Sequence, residues 1–305
     1  MSSSRRDLLR ATATAGVGAA AALAGCSALP SLSGGDGASP ARDWLYDPTA
    51  FADGPQVSVL FESPSEIDAA SDHLHPDVRE RRLIPSYPDV LASSPSTVDW
   101  ALQMGGTMFE APIQVVYGGS FDEETARAAS AAILSDGTDA DRTDREPVAD
   151  LQTVVAGDDT HGAYRDGLAV SVGAADRAEF ERLLRGAADG ESRLTGVADG
   201  IGTYLDVLSF DHAAQTALGP RADGDGWQAA GWSYRLDGET TTVRLAELHG
   251  DRSAEQLREV GADVDGLREV SVESDGAVRW LEATADTDAV GLQGSVFSLL
   301  ELPYA

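Results

Sequence analysis

Five histidines and one cysteine carry the most obvious reactive chemistry in this chain. His73 and His75 lie in the run Asp72-His73-Leu74-His75, with Asp77 two positions on. Two imidazoles beside carboxylates could hold a metal, but the run lacks the fixed His and Cys spacings of metal motifs. A helix that turns Ile67 and Leu74 inward leaves His73 toward its side or solvent. It puts His75, before Pro76, at the helix end. His161 stands in Asp158-Asp159-Thr160-His161-Gly162. Asp and Gly favour turns for backbone reasons, and this spacing does not match an EF-hand loop. The expectation is a turn between two strands and no metal site. The chain has no Lys, which excludes Schiff-base and P-loop lysine chemistry. It also has no Gly-x-Ser-x-Gly, no His-Glu-x-x-His and no dinucleotide glycine pattern after a strand. No catalytic residue and no cofactor are therefore expected. Trp100, Trp227, Trp232 and Trp280 could line a groove, but aromatic residues in strands belong by default to the core.

The cysteine is different. Cys26 closes a three-part N-terminal stretch: Arg5-Arg6-Asp7-Leu8-Leu9, an apolar run over 11–24 of Ala, Gly and Thr, then Leu23-Ala24-Gly25-Cys26. This is the order of a secretory signal peptide. Arg5, Arg6, Leu8 and Leu9 resemble the core of twin-arginine signals, which export folded cargo. Leu-Ala-Gly-Cys resembles a lipobox, which implies a lipid on Cys26. The apolar run falls short of the ~20 residues needed to span a bilayer. A two-chain lipid would anchor the protein stably, where one acyl chain would be marginal. Residues 27–42 are rich in Ser, Gly, Pro and Ala and read as a flexible tether. The expected location is the outer face of the cell membrane. The expected partners are the membrane, through Cys26, and an extracellular ligand or protein that the sequence does not name.

A second resemblance lies in Gly196-Val197-Ala198-Asp199-Gly200. It resembles the Gly-x-x-Asp-Gly motif of dye-decolourising haem peroxidases, a family of two ferredoxin-like halves with some twin-arginine-exported members. The resemblance implies Asp199 as the distal acid–base residue over a haem. The match covers five residues, and His212 and His249 are the downstream choices for an axial ligand.

Net charge is −29, with all 22 basic residues Arg and no Asn. Such a chain repels itself at low ionic strength, and molar salt shortens the screening length to ~3 Å. The composition resembles proteins of extremely halophilic archaea, and it also fits a GC-rich genome. The acidity argues against nucleic acid as a partner. Without Asn there is no N-glycosylation acceptor.

These residues need elements to position them. Val57, Val59 and Phe61 alternate as in a strand, and Leu168, Val170 and Val172 do so again. Ser65 and Asp176 are placed to cap the helices that follow. Tyr87 to Leu91 is echoed by Tyr204 to Leu208, Trp100 to Gly106 by Trp232 to Gly238, and Ile113 to Tyr117 by Val243 to Leu248. Helices capped by Asp122 and by Ser253, with Gln256 completing a capping box, come next. Strands near 151–155 and 267–272 close the two units, each followed by a Gly-Ala-x-Arg turn. The order strand, helix, strand, strand, helix, strand is that of the split βαβ unit. The expectation is an α+β fold of duplicated ferredoxin-like (βαββαβ) units with antiparallel sheets and helices on one face. The expected boundaries are a signal at 1–25, lipidated Cys and tether at 26–43, and units at 44–160 and 161–305. The functional expectation is a lipid-anchored, non-catalytic binding module in high salt. The alternative is an exported enzyme, most sharply a haem peroxidase.

Overall fold

The computed structural model describes residues 39–53, 55–76, 83–84, 87–106, 111–132, 142–156, 160–190, 192–221, 226–264 and 266–290. Arg5, Arg6, Leu8, Leu9, Cys26, Asp77, Asp158 and Asp159 lie outside them. The first half runs β1 (Val57–Glu62), α1 (Pro64–Ala69), α2 (Asp89–Ala92), β2 (Val98–Gly106), β3 (Ile113–Gly119), α3 (Glu123–Ala132), β4 (Arg142–Val148), β5 (Leu151–Ala156) and β6 (Thr160–Arg165). The second runs β7 (Leu168–Gly173), α4 (Arg177–Asp189), α5 (Ile201–Leu208), β8 (Ala213–Pro220), β9 (Trp227–Asp237), β10 (Thr240–Leu248), α6 (Ala254–Asp263), β11 (Arg268–Asp275) and β12 (Val278–Asp286).

The strands join in one sheet, ordered β11-β12-β10-β9-β8-β1-β2-β3-β7-β6-β5-β4. Every pairing in it is antiparallel. A split βαβ unit separates its first two strands by its third. Here β1 is bonded directly to β2, Val57 opposite Gly106, so the ferredoxin-like strand order is not present. Nor do the halves make separate sheets. β1 pairs with β8 on its other edge, Val57 opposite Leu218, and β7 is inserted between β3 and β6. This position explains the composition of β7, all six of whose residues are buried: a strand covered on both faces needs a continuous apolar run. The outermost strands are the opposite. β4 exposes Asp144, Arg145, Glu146 and Pro147, and β11 is charged and exposed along most of its length. Charge and proline at an edge discourage pairing with another chain.

Helices cover both faces, not one. Phe180, Leu183 and Leu184 of α4 and Ile201 and Leu205 of α5 pack on Val57, Val59, Leu102, Met104, Val170 and Val172. The alternate residues Ala101, Val115, Tyr117 and Ala169 point the other way, onto Ala126 and Ala129 of α3 and Leu91 of α2. Ile67 of α1 shares that side with Trp232, Tyr234, Leu245 and Leu281. Trp100, Trp227 and Trp232 are buried and Trp280 is half-buried, as core residues.

Local signals explain the helix ends. Asp176 and Glu179 form a reciprocal capping box on α4, and Gly190, with φ of 73°, closes it. Ser253 and Gln256 do the same for α6. The expected cap at Ser65 is displaced: α1 starts at Pro64, whose fixed φ suits the first helical position, with Ser63 before it.

The end of the expected tether belongs to the body. Pro40–Trp44 is a 3-10 helix in which Ala41 is fully buried. It begins a strap over 39–51 across the α4–α5 face. Arg42 pairs with Asp206 on α5 and Asp43 with Arg193. Gln114 donates to the Trp44 carbonyl at 3.1 Å, and the Tyr46 hydroxyl donates to the Pro112 carbonyl at 2.6 Å. Arg182 donates to the Ala50 carbonyl and lies over the Phe51 ring. Buried apolar surface and ion pairs fix residues that composition alone assigns to a linker.

The β4–β5 hairpin carries a removable strain. Val148 faces Leu151 across a two-residue turn whose first residue, Ala149, has φ of 54°. Glycine is favoured there because a Cβ opposes positive φ. Ala149→Gly is expected to raise unfolding stability by about 1 kcal/mol, read as a shift in denaturant midpoint. An unchanged or lower midpoint would refute this.

Candidate functional site

The described residues with reactive chemistry divide between open cavities and the closed interior. One cavity of about 350 Å³ is lined by Asp72, His73, Leu74, Glu239, Asp286, Thr287 and Asp288. Register builds it: Thr240 at the start of β10 faces Asp286 at the end of β12, beside the 3-10 turn that follows α1. Leu74 is buried and His73 exposed, but the expected helix stops at Ala69: His73 ends a separate 3-10 turn, Ser71–His73, and Leu74 follows it in extended conformation. Sequence reading found Asp72 and His73 but not Glu239, Asp286 and Asp288, which come from the other half of the chain. Asp286 is held by Arg268 at 2.6 Å. Among the described residues no three His, Cys, Asp or Glu side chains converge as metal ligands. A second open groove of about 350 Å³ runs along α4, with Glu181, Arg182, Arg185 and Asp189 in its lining. Arg185 pairs with Glu181 at 3.0 Å.

Asp199 is exposed on the turn before α5, whose N-cap Gly200 has φ of 85°. A distal acid works from inside a closed cavity, and neither cavity above includes Asp199. His249 is exposed on a positive-φ turn. His212 is held on the α1 side of β9. These positions do not fit a haem pocket with Asp199 over it.

His161 is not in a solvated turn. It lies inside β6, is buried, and stacks on Phe180 with ring centroids 5.1 Å apart. Gly162 and Ala163 are likewise buried in the strand, so the expected Gly-Ala-x-Arg turn exists only at Gly276.

His212 is bound on two sides. Its Nδ1 accepts from the Leu236 amide at 3.1 Å, and its Nε2 is 3.8 Å from the Glu66 carboxylate. Burial lowers its pKa, outweighing Glu66 and Asp211, which raise it; Arg235 lowers it further. The unfolded chain therefore takes the proton first. The contribution of neutral His212 is present above its unfolded pKa of ~6.5 and is lost as pH falls below it. His212→Asn keeps an acceptor for Leu236 and removes the titration. The stability advantage of wild type over this variant is expected to shrink from pH 7.5 to pH 5 in thermal melts. A difference constant with pH would refute it.

Three further polar clusters are sealed in. Glu62 at the end of β1 is 1% exposed and accepts from the Leu83 amide at 2.8 Å. Nearby Tyr117 meets Tyr87 edge-on at 5.1 Å, and burial first, then the neighbouring Tyr87 and Glu62 charges, raise its pKa. Glu247 is 5% exposed and pairs with Arg252 at 2.6 Å, while Arg279 donates to the Arg252 carbonyl. Tyr204 is fully buried, and its hydroxyl lies 2.5 Å from Thr216 Oγ1, which donates to the Ala230 carbonyl at 3.1 Å. Burial raises the Tyr204 pKa, so the phenol stays a neutral donor. These groups join the chain to itself and face no open cavity described above.

No family model matches the chain, and no curated protein matches it. Among solved structures it is similar to TP0453 in crystal forms III, I and IV, with TM-scores of 0.40, 0.40 and 0.41 and identities of 7, 7 and 8%. These alignments cover 79, 80 and 80% of this chain and 94, 94 and 96% of the others. A likeness at this level carries no argument about function. Among the described residues, no helix is long and apolar enough to cross a membrane.

Proposed function

We propose that this is a lipid-anchored extracytoplasmic protein whose body is a non-catalytic ligand- or partner-binding module in concentrated salt. The observation that carries the anchor is the N-terminal order Arg5-Arg6-x-Leu8-Leu9, small apolar run, Leu23-Ala24-Gly25-Cys26. The reading of the body as non-catalytic is supported by where the chemistry-bearing groups sit. His161, Glu62 and Tyr204 are buried and His212 is largely so, and none of the four lines either of the two cavities described above. The high-salt setting is supported by the −29 charge. We also propose that the two halves arose by duplication with divergent edges. Among the described residues each runs a strand, two helices, two or three strands, a ten-residue helix and two or three closing strands.

The anchor has a direct test. In detergent phase separation at high salt, the wild-type chain made in an exporting host is expected in the detergent phase. Cys26→Ser is expected in the aqueous phase. Equal partition of the two would overturn the proposal. A Soret band in protein purified at high salt would overturn the non-catalytic reading in favour of a haem enzyme.

A further inference from the structure

The cavity lined by Asp72 and Glu239 has two walls, and they are held in different ways. One wall is the tip of the β9–β10 hairpin with the end of β12, and it supplies Glu239, Asp286 and Asp288. Thr287 fixes it. The Thr287 amide donates to the Glu239 carbonyl at 2.9 Å, its hydroxyl donates to the Gly238 carbonyl at 2.8 Å, and the Thr241 hydroxyl donates to Thr287 Oγ1 at 3.0 Å. The other wall is the 3-10 turn Ser71–His73 after α1, which supplies Asp72 and His73. α1 has six residues, and neither it nor the turn has a side-chain cap. Ile67 and Leu74 seat this wall in the core.

His212 reaches the elements behind both walls. It directly precedes β8, whose first residue, Ala213, lies opposite Tyr234. Two residues further along β9, the Leu236 amide finds its acceptor in the imidazole, with Nδ1 at 3.1 Å. An Nδ1 that accepts carries no proton, so the neutral ring holds its proton on Nε2, 3.8 Å from the Glu66 carboxylate of α1. The His212 carbonyl also accepts from the Ser63 amide, just before α1, at 2.7 Å. The charged groups around the ring are Glu66 from α1, Asp211 beside it in the chain and Arg235 from β9. A second proton must go to Nδ1. It sets one N–H against another at Leu236, and the new charge is drawn to Glu66 and Asp211. Burial first, and Arg235 with it, put this event below the ordinary histidine pKa of ~6.5.

We propose that His212 is a proton-operated latch on this cavity. Neutral, it ties α1 and the turn Ser71–His73 to β9. Protonated, it releases Leu236, and the wall carrying Asp72 and His73 is free to move from the wall held by Thr287. The inference does not depend on the anchor at Cys26. Native-state amide hydrogen exchange on the full-length chain at molar salt, corrected for the pH dependence of free-amide exchange, reads it residue by residue. From pH 7.5 to pH 5, protection is expected to fall several-fold at Leu236 and over residues 67–74, and to hold in β3 and β7 at the sheet centre. His212→Asn keeps an acceptor for Leu236 and has no proton to take, so it is expected to show no such fall. Glu66→Gln removes a carboxylate that attracts the imidazolium and is expected to move the midpoint of the fall to lower pH; Glu66 is exposed, so this variant keeps the fold. His73→Asn removes the imidazole that lines the cavity and is expected to leave the fall in place. An equal fall in wild type and His212→Asn overturns the latch, as does a fall confined to Leu236 or one spread through β3 and β7. A midpoint unmoved by Glu66→Gln, or a fall abolished by His73→Asn, overturns it as well.

Discussion

In molar salt the body is expected to be folded, and on dilution to below about 0.1 M to lose its tertiary structure. At 0.1 M the screening length is ~10 Å and at 1 M ~3 Å, so dilution lets carboxylates across the surface repel one another. The ion pairs cannot answer this. Arg42, Arg127, Arg165, Arg177, Arg185, Arg193, Arg244, Arg252 and Arg268 already sit on carboxylates. With 51 acidic residues against 22 basic ones, most acids have no cation to meet. The repulsion has only to offset a net stability of about 5–15 kcal/mol. Circular dichroism and tryptophan fluorescence across a salt series would show it, since the buried tryptophans report on the core. Spectra unchanged at low ionic strength would refute the prediction and, with it, high salt as the working environment.

Gly231→Ala is expected to cost about 3–5 kcal/mol, among the largest effects of any single methyl group in this protein. Gly231 lies in β9 opposite Ala246, where Tyr204 reaches across from α5. A Cβ there would come within 2.6 Å of the Gln215 carbonyl, of Thr216 Cβ and of the Tyr204 hydroxyl. Two of the three belong to the neighbouring strand, so relief requires the β8–β9 pairing to shift. Tyr204→Phe alone removes one donor and is expected to cost about 1–2 kcal/mol. In the double variant the overlap with the hydroxyl is gone, so the two costs should add to less than their sum. Chemical denaturation of the four proteins at constant high salt gives the cycle. A Gly231→Ala cost below 1 kcal/mol, or strict additivity, would refute the packing account.

Much of the secondary structure was legible where local signals agreed. β1 and β7 alternate or run apolar, and α4 and α6 carry complete capping boxes. What escaped was structure made by partners far away. β8 reads Ala-Ala-Gln-Thr-Ala-Leu-Gly-Pro, with little strand propensity; it is a strand because β1 and β9 bond both its edges. β4 is charged enough to look like a loop and is a strand because an edge tolerates charge. Gly162 looked like a turn residue, yet β6 needs it small, since a Cβ would press on Val154 and on the Ser130 carbonyl. The order of elements was therefore readable while their arrangement was not. The helix after β1 leads to a neighbouring strand, and nothing in the residues of that connection distinguishes this from a crossover. The acidic cavity escaped for the same reason, because Asp72 and Asp288 meet only through the sheet. Trp44 could have betrayed the strap: a lone tryptophan at the end of a Ser- and Gly-rich run is a poor linker residue and a good core one.

The pairings of β1 with β8 and of β3 with β7 also govern when the molecule can be complete. β1 is made early in the chain, but one of its two edges waits for β8, about half the chain length later. β3 likewise waits for β7 across the whole β4–β6 excursion. Contacts of such long sequence separation make closure slow, because loop entropy is lost before the pairing repays it. A growing chain would carry an open edge of β1 until synthesis passes residue 220. In molar salt, where screening leaves charge repulsion a reach of ~3 Å, that open edge is the stretch most exposed to pairing with the wrong strand.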